Sequence, residues 1–161
     1  VYKRQLLEDA FKFAKMGGTI DLTCGESESK FHSVADAVKK AKKEGVPMEK
    51  VTMSSDGQGS WSNYDAEGKL VEIGVSDVDT IYRQIVYMVK EENMDLEELL
   101  ALGTKNPAMA LELYPKKGAV KEESDADILI MNEDLSLDTV IAMGVPMMRD
   151  GKILKKGTYE K

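Results

Sequence analysis

Seven consecutive residues, Ser54-Ser55-Asp56-Gly57-Gln58-Gly59-Ser60, are the chain's sharpest cluster of reactive and small side chains. They follow Val51-Thr52-Met53, which reads as a strand, so Asp56 falls at a strand's C-terminal end. In α/β barrels the strand C-termini face the active site, and an acid there is a catalytic candidate. Gly57 and Gly59 let the backbone come close to a ligand, and Ser60 can donate a hydrogen bond to a substrate carboxylate. The same residues also make an ordinary turn, with Asp56 capping a loop amide. Residue types alone leave both readings open.

A second cluster runs from Lys117-Gly118-Ala119-Val120 through Asp125-Ala126-Asp127-Ile128-Leu129-Ile130 to Asp150-Gly151. Its paired aspartates look like a metal site in isolation. With no histidine nearby they are read instead as turn residues at the entry to strands. The chain has one histidine, His32, and so cannot build a multi-histidine metal cage by itself.

The elements that position these residues follow from periodicity. Leu7, Ala10, Phe11 and Ala14 fall at helical spacing, and Gly17-Gly18 ends that helix. Thr19–Thr23 reads as a strand. Ser33 and Asp36 form a capping-box pattern ahead of a second helix whose apolar face is Val34, Ala37, Val38 and Ala41. The strand Val51–Ser55 comes next, then a polar loop containing Trp61, Asn63 and Gly68. Ser76 and Asp79 are placed to cap a third helix with the stripe Val78, Ile81, Tyr82, Ile85 and Val89. Asp95 and Glu98 open a short helix through Leu102, and Thr104–Leu113 makes another. Alternating helices and strands are the signature of parallel α/β units, here a fraction of a (β/α)8 barrel. After Tyr114-Pro115 the pattern changes to short strands at 126–131, 139–143, 146–148 and 152–155, with Asp150-Gly151 as a hairpin turn.

The 161 residues suffice for one domain with a core, and 22 Lys+Arg against 29 Asp+Glu leave a net charge of -7. An acidic chain without a basic stripe argues against nucleic acid. No apolar run reaches the roughly 18 residues of a membrane helix, and no signal-peptide pattern is present. A single cysteine, Cys24, cannot close an internal disulfide, so the expected compartment is the reducing cytoplasm. Val1-Tyr2-Lys3-Arg4-Gln5 matches a peptide encoded by a common transposase sequencing adapter. Residues 1–5 are therefore expected to be non-native and are set aside from fold reasoning.

The tail, Lys-Gly…Asp-Ala-Asp…Asp-Gly-Lys, resembles the closing β segment of the amidohydrolase superfamily. Within it, Gly17–Thr23, the run Val51–Ser60 and Ile73-Gly74-Val75 resemble isoaspartyl dipeptidases, and the likeness extends from about Leu6 to the C-terminus. The resemblance implies that Thr19–Thr23 and Val51–Ser55 are the last two strands of a TIM barrel. Residues 6–113 would be the C-terminal portion of that barrel, and 114–161 the C-terminal strands of a small β-sandwich domain. It also implies a dinuclear zinc enzyme that hydrolyses β-aspartyl dipeptides through a metal-bridging hydroxide. Asp56 would be both a metal ligand and the proton shuttle, and Ser60 would bind the substrate carboxylate. The intact protein would be a cytoplasmic homo-oligomer.

The family's histidine ligands, its metal-bridging carboxylated lysine, and its substrate-binding tyrosine and arginines would then lie upstream. The chain is thus expected to be a C-terminal fragment, inactive alone. His32 matches no family ligand and is taken as a surface residue. Cys24, after a barrel strand, has no partner base and reads as inert. Trp61 is assigned to loop packing, with a pocket wall as its other role. Glu123 stands where the family tends to have glycine, so that turn is expected to be built differently. The alternatives are an amidohydrolase acting on cyclic amides, of dihydroorotase or hydantoinase type, and a non-catalytic α/β binding module.

Overall fold

The computed structural model describes residues 2–25 and 27–157, with backbone alone for 2–4. The first helix, α1 (Tyr2–Lys15), buries Phe11 and Ala14 and stops where Gly17 turns left-handed at φ 98°. It takes in residues 2–5, while Val1 lies outside the described residues. Strand β1 (Ile20–Thr23) follows, then α2 (Glu28–Lys43), a 3-10 turn (Met48–Lys50) and β2 (Val51–Ser54). β1 and β2 pair in parallel, Ile20 against Val51 through Thr23 against Ser54. A helix between two parallel strands is the crossover unit that the alternating pattern predicts.

The cap of α2 lies further upstream than the Ser33/Asp36 pattern suggests. Ser27 Oγ accepts from Lys30 N at 3.3 Å, and Ser33 sits inside the helix, its hydroxyl donating to Lys30 O. The apolar spacing runs unbroken back through Phe31, so the helix continues to the earlier serine.

Three helices follow: α3 (Thr80–Lys90), α4 (Leu96–Gly103) and α5 (Lys105–Ala110). Asp95 caps α4 as predicted, accepting from Glu98 N at 2.9 Å. The expected stripe of α3 is partly wrong. Val78 precedes the helix and is exposed, and the buried set is Thr80, Gln84, Ile85 and Met88. One core joins Phe11, Val38, Val51, Met53, Met88, Leu99 and Leu102, so the helices cover a single face of the β1–β2 pair. Buried Asn106 donates to Met48 O (2.7 Å) and Val51 O (2.8 Å), pinning α5 to the start of β2.

The predicted polar loop is a hairpin, β3 (Ser60–Tyr64) with β4 (Leu70–Val75). The tail forms an antiparallel sheet in the order β5 (Ile128–Met131), β6 (Leu137–Ala142), β7 (Val145–Arg149) and β8 (Lys152–Ile153). Asp150 and Gly151 both take positive φ, 50° and 68°, as a two-residue hairpin turn of mirror-image type requires. Tyr82 OH donates to Leu135 O at 2.9 Å and ties the tail to α3.

Glu123 adopts φ 67°, a left-handed conformation that favours glycine. The turn thus places a glutamate in a glycine-type backbone conformation.

Candidate active site

The chain leaves β2 through a tight loop. Asp56 and Gln58 are left-handed, at φ 50° and 64°, and Gly59 N closes the turn onto Asp56 O at 2.9 Å. Gln58 N donates to Ser76 O (2.8 Å) and Ser76 N to Gly59 O (2.9 Å). These bonds carry the β3–β4 pairing one step past Ser60 and Val75, so the loop rests on the base of the hairpin. Thr80 Oγ1 reaches Ser55 O at 3.4 Å, joining the loop to the start of α3.

Both glycines answer to the loop's own packing. A Cβ on Gly59 would stand 2.8 Å from Asp56 O and 2.9 Å from Asp56 Oδ1, because the Asp56 carboxylate folds over it. A Cβ on Gly57 would stand 2.9 Å from Ser55 Oγ and from Val78 Cγ1. The close approach read from the sequence is made by the chain to itself. Asp56 and Ser60 are both exposed, four positions apart on this one segment.

Beneath the loop lies a polar face that no sequence motif marks. Ile20, Val51 and Met53 point into the core, so Asp21, Thr52 and Ser54 occupy the opposite face of the sheet. The Asp21 carboxylate accepts from Thr52 Oγ1 at 2.7 Å and from Ser54 Oγ. The signal was an acid flanked by Ile20 and Leu22 inside a strand.

The other candidates settle as structural. Cys24 is 3% exposed, and burial, with the Asp21 charge adding to it, pushes its thiol up to about 12. It stays protonated at neutral pH and is no nucleophile. His32 lies on α2, its Nδ1 2.6 Å from Tyr87 OH and its ring edge-on to Tyr87, so it ties α2 to α3. Trp61 packs within the hairpin. Lys117 fills the space between the paired aspartates, 3.0 Å from Asp125 and in contact with Asp127. That lysine, helped by the Met143 amide, holds the Asp127 carboxyl below its ordinary range. The paired aspartates stand at the entry to β5 with a protein cation, Lys117, between them in place of a metal.

Among the described residues no group of three or more histidine, cysteine, aspartate or glutamate side chains could hold a metal ion. Asp56 fits a metal as one exposed carboxylate ligand at a strand's end; further donors would have to come from elsewhere.

This chain belongs to the amidohydrolase family, whose sequence model matches residues 6–154. It is similar to the β-aspartyl dipeptidase of the thermophilic keratin degrader Fervidobacterium islandicum AW-1, solved in complex with a β-Asp-Leu dipeptide. Identity is 35% over 98% of this chain and 40% of that one, with a TM-score of 0.81. A second structure of a β-aspartyl dipeptidase from that organism gives 33% over 98% and 38%, at a TM-score of 0.75. An N-acetylglucosamine-6-phosphate deacetylase from Pasteurella multocida shares the fold at 16% identity, covering 81% of this chain and 37% of that one at a TM-score of 0.58. The parallel pair β1–β2 with its helices is thus part of the amidohydrolase TIM barrel. The chain spans about 40% of the length of the dipeptidase it matches.

Proposed function

We propose that the chain is the C-terminal part of a β-aspartyl dipeptidase, which hydrolyses the isopeptide bond of isoaspartyl dipeptides. The observation that carries this reading is the 35% identity over 98% of the chain to a β-aspartyl dipeptidase, at a TM-score of 0.81. The exposed carboxylate of Asp56 at the mouth of a barrel strand agrees with it.

In this reading Asp56 has two duties. It would be one ligand of a zinc pair, the other ligands being supplied by upstream barrel strands. Those ions, when bound, would supply Lewis acidity and water activated at neutral pH. Asp56 Oδ accepts a proton from the attacking water and delivers it to the departing amine nitrogen, so the amine leaves neutral. Its left-handed backbone and the Gly59 N to Asp56 O bond hold that carboxylate where the strand ends. Ser60 Oγ donates to a substrate carboxylate and fixes the dipeptide beside the acid. The working protein is proposed to be a cytoplasmic homo-oligomer; no described helix is long and apolar enough to cross a membrane.

The test is an assay of the protein carrying its complete barrel, loaded with zinc. β-Asp-Leu should be cleaved, and α-Asp-Leu, dihydroorotate and hydantoin should not. Turnover of a cyclic amide with the β-dipeptide untouched would transfer the chain to the cyclic amidases. No turnover with tight dipeptide binding would make it a binding module.

A further inference from the structure

Asp21 stands in the middle of β1, directly across from Thr52 in the parallel register. Its carboxylate spans two residues of β2, one oxygen taking the Thr52 hydroxyl at 2.7 Å and the other taking the Ser54 hydroxyl. An ionised carboxylate only accepts, so the Ser54 hydroxyl proton is aimed at Asp21, while the Thr52 proton is shared between Asp21 and Ile20 O, 3.2 Å away. Thr52 and Ser54 alternate onto one face, and Asp56 departs two residues after Ser54.

The core does not require this arrangement. Asp21 lies on the face of the sheet away from the helices and from the core they cover. What the arrangement does is fix the last residue of β2 from the side, just before two left-handed residues carry the chain round. Backbone bonds set the spacing of β1 and β2 at that point, with Cys24 N donating to Ser54 O at 2.8 Å. Only the Asp21 carboxylate holds the Ser54 side chain as well. A turn that starts from a rotated strand end would deliver its carboxylate to another place.

We propose that Asp21 is a positioning residue for Asp56: by holding Thr52 and Ser54 it fixes the strand end from which the acid projects. The kinetic part of this proposal rests on the dipeptidase reading above; the structural part does not.

The experiment therefore has two arms, both on the protein with its complete barrel. In the first, Asp21→Ala lowers kcat for β-Asp-Leu by about tenfold or more, since small misplacements of a reacting group are costly. KM changes less than kcat, because Ser60 is also held by the β3–β4 pairing, which Asp21 does not touch. Asp21→Asn recovers most of the rate, because its amide can accept from one hydroxyl and donate to the other. Ser54→Ala reproduces the loss, and combining it with Asp21→Ala adds little, the mark of one shared interaction. In the second arm, backbone hydrogen exchange needs no substrate. The Gln58 and Gly59 amides exchange faster in Asp21→Ala and Ser54→Ala, and hairpin amides such as Ser62 do not. A merely stabilising role would instead speed exchange throughout. If Asp21→Ala fails to fold, Ser54→Ala carries both arms. Unchanged exchange at Gln58 and Gly59 overturns the proposal whether or not the protein is a dipeptidase. An additive double variant or an unaltered kcat overturns it in an active one.

Discussion

Trp61 lies flat across Gly74: a Cβ at that glycine would stand 2.1 Å from Trp61 Cζ2 and 2.4 Å from Cε2. The two residues are cross-strand partners in the β3–β4 hairpin, so the indole is housed by the absence of a side chain opposite it. Gly74→Val should therefore evict the ring. Trp61 is the single tryptophan, so its fluorescence reports this hairpin alone. Emission of the 161-residue chain should shift to the red in the variant, and in the complete enzyme the KM for a dipeptide held at neighbouring Ser60 should rise. An unmoved spectrum would contradict the packing.

Asp56→Asn keeps the shape of the side chain but cannot carry a proton. In the complete enzyme kcat should fall by about 100-fold to 10,000-fold, the usual range for a lost acid/base. Ser60→Ala removes a bond present in ground and transition states alike, so KM should rise about tenfold with kcat nearly kept. Steady-state kinetics separates the two. A near-native kcat for the asparagine variant would remove Asp56 from the chemistry.

The 161-residue chain taken alone should release no amino acid from β-Asp-Leu in the presence of zinc. A lone carboxylate is far short of the four ligands that zinc ordinarily takes. Amino-acid analysis against a zinc-only control checks this, and sustained turnover would refute the assignment of missing ligands.

Alkali should destabilise the fold through Cys24. Its thiol has a folded pKa of about 12, raised from 9.0 by burial. Between these values the unfolded chain loses a proton that the folded chain retains. Stability is thus fully present below pH 9 and falls as pH rises towards 12. Denaturant titrations of wild type and Cys24→Ala across that range should differ in slope, with the alanine variant flatter. At pH 8 the native thiol should resist alkylation and react only after unfolding.

Glu123→Gly should stabilise the protein. A glutamate at φ 67° carries about 1 kcal/mol of left-handed strain, which glycine relieves at some cost in unfolded-chain entropy. The net gain should be a few tenths of a kcal/mol up to about 1, read as a higher denaturation midpoint. A lower midpoint would mean that the glutamate side chain earns its place by a contact.

Those elements with a strong apolar rhythm were legible. Val51 and Met53 alternate with Thr52 and Ser54, so β2 and the exposed end bearing Asp56 could be read directly. The hairpin could not. Ser60–Tyr64 has little apolar alternation, so the regular alternation of Val71, Ile73 and Val75 finds no matching rhythm in the strand it pairs with. Its order comes from backbone pairing and from an indole seated on a glycine thirteen residues away, which no local window contains. The cap of α2 was misread for a similar reason. Ser33-Val34-Ala35-Asp36 has the composition of a helix start, but only the unbroken packing behind it shows that the helix is already under way. Asp21 escaped notice because its partners lie more than thirty residues away, across a strand pairing.

The hairpin base has one more consequence. Gln58 N and Ser76 N both bond across the junction where the loop meets β3 and β4. In the dipeptidase reading, the group that moves the proton and the group that grips the substrate's charge thus ride on the same short lever. Any swing of β3–β4 that loosened the grip of Ser60 would withdraw Asp56 in the same stroke. Letting go of product and disarming the acid would then be a single mechanical event, and the enzyme could not be caught open and armed at once.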